Sequence, residues 1–433
     1  MSIATVSPAE SSGRRSLSAA GLVTVGAVGF LLGWANSWAR ETEFFGNVGL
    51  GLALAIFVCS SCFPKWKSPY SAGTLLFITL FGLYLTFSVT MNAGSMDLMG
   101  TLHVNNAIWW GNYVKICCAS AILGLSFRHA RAMAAGIGGF CAGSFSVALL
   151  FSAHTILTTG NTVYGAINNP LDGVVINSSG IMSLTVFLPA FASALAFYKP
   201  LLTSRAYWAV VVVIYTAASC IGYAFNSRSA FLFLYFGLFI QAIVLVTLNK
   251  PRTRRSLLMV FMGMAIFLSL IFVVFFNLRR PISAQIFADP RLAMVQSFVI
   301  QLIADPLAHA RVPAEIQVWC GGSHFFHNFF ADAHRLSGFL SFLFAALLAA
   351  MVCVRTAWTT RLGAPGRILF FTLLPTVLVL NTSVIPEGEF QPIALLLMIG
   401  GAAEGILRRA SASQSMRPLP GCPQSNQSSS RQP

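Results

Sequence analysis

The chain has 433 residues, 56% of them hydrophobic and only 9% charged, against about 25% charged in an ordinary soluble domain; this excludes a water-exposed globule. Its apolar residues form long continuous runs rather than short alternating segments, which excludes a β-barrel and predicts an all-α, polytopic transmembrane bundle. A formal net charge of +15 would suggest nucleic acid in a soluble protein, but here the basic residues sort by side of the membrane, so no nucleic-acid partner is expected.

In chain order, residues 1–16 precede a first apolar stretch from Leu17 to about Trp38 that follows Arg14 and Arg15. That stretch is too long for most signal-peptide cores and lacks a small-x-small cleavage site, so it reads as an uncleaved span. Further spans are expected at 47–63, 70–91, 104–126, 133–153, 179–198, 206–225, 229–248, 257–277, 338–354, 367–385 and 389–407. These group as spans one to nine within 17–277, an outer loop at 278–337, spans ten to twelve within 338–407, and a low-complexity cytoplasmic tail, 408–433, expected to be disordered.

Alternation of charge supports this count of about twelve. Lys65, Lys67, Arg128, Arg131, Lys199, Arg205, the run from Lys250 to Arg255, Arg355, Arg361, Arg367, Arg408 and Arg409 fall on the side of the N-terminus, while every acid except Glu10 and Glu404 falls on the other. Both termini are therefore expected in the cytoplasm. Nine cysteines lie mostly inside apolar runs, Cys320 alone lying in the long loop, so free thiols are expected rather than a disulfide framework. In that loop, Leu292, Val295, Phe298, Val299 and Leu302 recur at helical spacing between Arg291 and about Ile303, as on a helix lying at a membrane surface or over helix ends.

Cations on the outer side run against the topology rule and invite a functional reading. Arg228, in the short connection Asn226-Ser227-Arg228-Ser229, can grip a phosphate at headgroup depth, or snorkel and anchor a helix end. Arg279 and Arg280 open the long loop, and Arg291 follows Asp289-Pro290, a helix start. Arg291 faces either a ligand or the interface, with Asp289 as a possible partner. The segment from Cys320 to Gly338 is the densest in polar chemistry, with His324, His327, Asn328, Asp332, His334 and Arg335. A histidine here can serve as a general base, as a structural group, or as a metal ligand if Asp332 or His334 joins His324 and His327; with no metal signature, none is assigned. Lys115 lies inside the fourth span without a distinguishable role.

Three motifs, in order, give a resemblance. Ser227-Arg228-Ser229-Ala230 opening a span, Asp289-Pro-Arg291 with an amphipathic stretch ending at Asp305-Pro306, and Ser323-His324-Phe-Phe-His327-Asn328 ahead of Gly338 together resemble the polytopic O-antigen polymerase and ligase superfamily. The chain departs from that pattern at Ala308-His309-Ala310-Arg311, where relatives commonly carry Gly-x-Gly, at Phe-Ala in place of aromatic-Leu after Asn328, and in an Asn/Gly-rich loop without an Arg. The resemblance implies a glycosyltransferase of the bacterial inner membrane, active on the periplasmic face, without metal or cofactor and inverting the anomeric centre. Its substrate would be an undecaprenyl-diphosphate-linked oligosaccharide, and a chain-length regulator protein is a possible partner. Arg228, Arg291 and His327 would be catalytic, and Arg279, Arg280, His324 and Asn328 would bind substrate. A polymerase is the first reading, a ligase to lipid A-core the second; a transporter or flippase is the rival class.

Overall fold

A computed structural model describes residues 19–38, 44–61, 71–92, 106–127, 130–160, 167–168, 175–176, 205–224, 290–319, 325–382 and 391–415, with a few isolated positions between 239 and 269. The expected spans at 179–198, 229–248 and 257–277 lie outside the described residues or reach them only at those isolated positions. The rest of the architecture is helical: α1 (Ala19–Trp38), α2 (Phe44–Ser61), α3 (Ala72–Asn92), α4 (Asn106–Ser126), α5 (Ala130–Thr159), α6 (Arg205–Ala224), α7 (Pro290–Ala304), α8 (Ala314–Trp319), α9 (Phe329–Thr359, continued by a 3-10 turn to Leu362), α10 (Ala364–Thr382) and α11 (Gln391–Ser415). A two-residue antiparallel pair, Ile167–Asn168 with Val175–Ile176, stands between α5 and α6.

Three of these stretches are long and apolar enough to cross a membrane: Ala72–Thr90, Ala130–Thr159 and Phe329–Leu362, with mean hydropathies of 1.8, 1.7 and 2.3. Shorter apolar helices accompany them at Ala19–Trp34, Asn47–Cys59, Val212–Ala224, Leu292–Ala304 and Pro365–Asn381. Large apolar side chains such as Val23, Val58, Leu75, Val213 and Val354 stand exposed on the outside, as suits helices bathed in lipid.

Three helices depart from their expected bounds. α5 continues through Thr159 into what reads as an outer loop, and α11 continues to Ser415, past the expected start of the disordered tail. α9 begins at Phe329, well before the apolar run, because Asn328 caps it and its first turns are buried by protein.

Without a hydrophobic driving force between helices in lipid, association rests on close packing and internal polar contacts. α1 and α5 run parallel and meet backbone to backbone. A Cβ on Gly29, Gly33, Gly139 or Gly143 would intrude into the carbonyl oxygen of Gly136, Phe140, Gly26 or Phe30 respectively. Such approach permits Cα–H to carbonyl contacts along the seam. α4 and α11 also run parallel, Gly124 lying on the Met398 carbonyl and Gly401 on that of Ala121.

Polar clasps mark the two ends of the bundle. At one end, the buried carboxylate of Glu404 on α11, 1% exposed, pairs with Arg355 of α9, whose Nη2 lies 2.9 Å from Oε2 and whose Nε reaches Oε1. The hydroxyls of Ser71 and Thr74, at the start of α3, complete the carboxylate shell at 3.4 and 3.3 Å. Arg409 donates to the Phe127 carbonyl at the end of α4. Towards the other end, Tyr84 of α3 is hydrogen-bonded to Tyr113 of α4, and Ser88 to Ser341 of α9 at 2.7 Å. α3 and α9 are therefore antiparallel.

Gly139→Ala should cost about 1–3 kcal/mol, read as a lower midpoint for heat-induced loss of monodisperse protein in detergent, whereas Gly82→Ala, with nothing within 4 Å of its added methyl, should not. Glu404→Ala strands the Arg355 guanidinium and should cost about 3–5 kcal/mol, a further lowering of the same midpoint.

Candidate functional site

At the end of the bundle away from Glu404 lie α7, the turn that follows it and the start of α9. α7 forms as expected, opened by Pro290, and divides its apolar residues between two faces. Met294 and Phe298 are the buried residues, joined by Leu302 at the same four-residue spacing, against Phe326, Ala331 and Phe342. Leu292 and Val299, from the apolar stripe read as a membrane-surface face, are 58% and 45% exposed and form an outer apolar face with Ile300 and Ile303. α7 is apolar on more than one side, so periodicity alone could not choose which side the protein covers. The outer face, continued by exposed Leu307 and Val318, suits a lipid interface.

Asp332 anchors the entry to α9. Its carboxylate is fully buried and accepts from Arg335 Nε at 2.8 Å, from the Phe326 N–H at 3.0 Å and from the Asn328 N–H at 3.4 Å. These amides flank His327, which holds a left-handed φ of 54°, a conformation costing a non-glycine residue on the order of 1–3 kcal/mol unless its surroundings impose it. Asn328 reinforces the turn: its Oδ1 accepts from the N–H groups of Phe330 and Ala331 at 3.0 and 3.1 Å, and its Nδ2 donates to the Asn381 carbonyl on α10 at 3.1 Å. The Arg335 guanidinium also lies over the Phe325 ring, 5.0 Å from its centroid.

His334 is a strut. Its Nδ1 accepts from the Ala310 N–H at 3.2 Å, which fixes the proton on Nε2, and Nε2 donates to the Pro306 carbonyl at 2.9 Å. Its ring packs edge-on to Phe298 and Phe342. Asp332 and His334 are thus both committed to hydrogen bonds within the fold.

The segment between α7 and α8 is pinned along its length. Asp305 Oδ1 accepts from the N–H groups of Leu307 and Ala308 at 3.1 and 3.2 Å, and the Gln301 amide brackets Arg311, donating to its carbonyl at 2.7 Å and accepting from its N–H at 2.9 Å. Within this turn His309 is exposed, and its Nδ1 lies 3.0 Å from the Arg335 carbonyl, just before a break in α9 at Gly338 (φ 77°, ψ −173°).

Of the residues singled out by sequence, His327 and Asn328 are adjacent on this shelf. Arg291 lies in the first turn of α7; Arg228, Arg279, Arg280 and His324 lie outside the described residues. Lys115 is half-buried on α4. Sequence reasoning gave no role to Arg335 or His309, and read Asp332 only as a conditional metal ligand. An Asp and an Arg three residues apart, set directly against an apolar span, are a readable sign of a buried helical pair; nothing in the sequence marks the partner of His309.

Asp332→Ala leaves Arg335 without its carboxylate and frees the His327 turn. It should cost about 3–5 kcal/mol, seen as a lower thermal midpoint in detergent, together with faster proteolysis between α8 and α9.

No family model matches the chain, and no curated protein matches it, so the functional reading rests on the residues of this shelf.

Proposed function

We propose that the protein is a membrane glycosyltransferase that polymerises a surface polysaccharide, an O-antigen or exopolysaccharide. On this reading it moves a glycan from an undecaprenyl-diphosphate carrier to an acceptor sugar hydroxyl at the periplasmic face of a bacterial inner membrane. The observation that carries the reading is the rigid polar shelf around Asp332, His327 and Arg335 at one end of an apolar bundle, edged by a helix whose outer face is apolar. A substrate with a polyprenyl tail and a polar glycan head requires that pairing of surfaces.

Helix directions support the expected sidedness. α3 begins, and α4, α9 and α11 end, at the Glu404 end, where the sequence also collects its lysines and arginines. α5 begins at that end and α9 begins at the other, so an even number of crossings must connect them. The reading assigns those crossings to α6 and the apolar runs 179–198, 229–248 and 257–277, for about twelve spans with both termini cytoplasmic.

In the transfer, the sugar–phosphate bond breaks and the diphosphate departs with its electron pair. Cations fixed at headgroup height stabilise that developing charge; Arg228 and Arg291 are assigned to it, with Arg279 and Arg280 assisting. His327 orients the acceptor hydroxyl or takes its proton, with His324 and Asn328 assigned to hold that hydroxyl in place.

The test is the surface-glycan profile of a deletion strain carrying wild type, Arg228→Ala, Arg291→Ala or His327→Ala, with each protein quantified in the membrane. The three variants should accumulate normally yet leave single lipid-linked repeat units and no long glycan. Long lipid-linked chains in the deletion strain would instead identify a ligase to lipid A-core. Full restoration by all three variants would remove the transferase reading and favour a transporter.

A further inference from the structure

On the transferase reading above, we propose that His309 is the general base that takes the proton of the acceptor hydroxyl, leaving His327 to orient the acceptor. The backbone on both sides of His309 is held by side chains. His334 bonds Pro306 and Ala310, Asp305 bonds Leu307 and Ala308, and Gln301 brackets Arg311. So much fixation around one exposed side chain presents that side chain in a single place, which is the requirement for a reacting group.

The ring itself is oriented. Since a carbonyl can only accept, Nδ1 carries the proton and donates to the Arg335 carbonyl at 3.0 Å. The neutral ring then has its basic lone pair on Nε2, and among the described residues Nε2 has no hydrogen-bond partner. A histidine whose Nδ1–H is bound by a carbonyl, with Nε2 open, is set up to accept a proton there. Gly338 makes the room: a Cβ at that position would lie 3.3 Å from Nε2, while φ of 77° already excludes most other residues. Arg335 joins the two histidines, since its carbonyl holds His309 and its guanidinium holds Asp332, whose other oxygen contacts bind the amides flanking His327.

The step balances. The acceptor oxygen bonds to the anomeric carbon, the bond from that carbon to the phosphate oxygen breaks, the diphosphate keeps the electron pair, and the hydroxyl proton goes to His309 Nε2, from which it passes to water.

The experiment uses full-length protein in proteoliposomes, supplied with the lipid-linked glycan extracted from the deletion strain, and follows chain lengthening against pH. His309→Asn keeps a donor to the Arg335 carbonyl but has no proton-accepting nitrogen, and His309→Ala leaves space for added imidazole. Expected are a fall in kcat on the order of 10²- to 10³-fold for both, loss of the acidic limb of the pH profile, little change in KM, and partial recovery of His309→Ala by imidazole. If His309→Asn keeps the wild-type rate and profile, or if both variants are slowed with the pH profile unchanged and no imidazole recovery, His309 is at most a strut and the inference is overturned while the transferase reading stands. A wild-type protein that lengthens no glycan overturns both.

Discussion

A polar group inside the hydrocarbon layer has no water to bond, so each one placed there must find its partner within the protein. That constraint organises the bundle. Glu404 does not stand alone on α11 but takes Arg355, Ser71 and Thr74 as a shell, tying three helices at one end. Tyr84 with Tyr113 and Ser88 with Ser341 tie α3, α4 and α9 further along. Asp332 does the same at the far end, but its partners are the amides of a turn as well as a guanidinium, so the constraint that holds the bundle also shapes the shelf. Between these clasps the contacts are small-residue seams, α1 on α5 above all, where glycines let backbones approach more closely than any side chain would allow.

Much of the bundle was legible in the sequence because apolar run length is itself the bilayer's requirement. The runs at 47–63, 70–91, 104–126 and 206–225 meet α2, α3, α4 and α6 closely. Ends were less legible where protein, not lipid, covers the helix. α9 starts nine residues before the apolar run because Asn328 caps it and Asp332, His334 and Arg335 are buried by α7 and the following turn. Hydropathy cannot anticipate that burial, since it depends on residues brought back from elsewhere in the chain.

The site was legible in part for the same reason. His327 and Asn328 stood out as polar residues at a span boundary. His309 did not, because its environment comes from a carbonyl twenty-six residues later and a glycine beyond it. The α7 stripe was legible as apolar, but not its division between protein and lipid, because the helix has apolar residues on both sides. Only the aromatic neighbours Phe326 and Phe342 decide that Met294 and Phe298 face inward while Leu292 and Val299 face out.

Gly338 connects these two levels. α9, from Phe329 to Thr359, carries polar residues in its first turns and an apolar run after them. The turn at φ 77° divides it: residues before it carry Asp332, His334 and Arg335 into the shelf, and residues after it carry the apolar span. The break also sets the Arg335 carbonyl beside its exposed neighbour, His309, and leaves no Cβ under that ring. One chain segment thus belongs to the bundle by its second half and to the shelf by its first. A shift of α7 would therefore reach the spans through Phe298 and Phe342, and the histidines through Gln301 and His334. Shelf and bundle hold their geometry jointly, with the break at Gly338 lying between them.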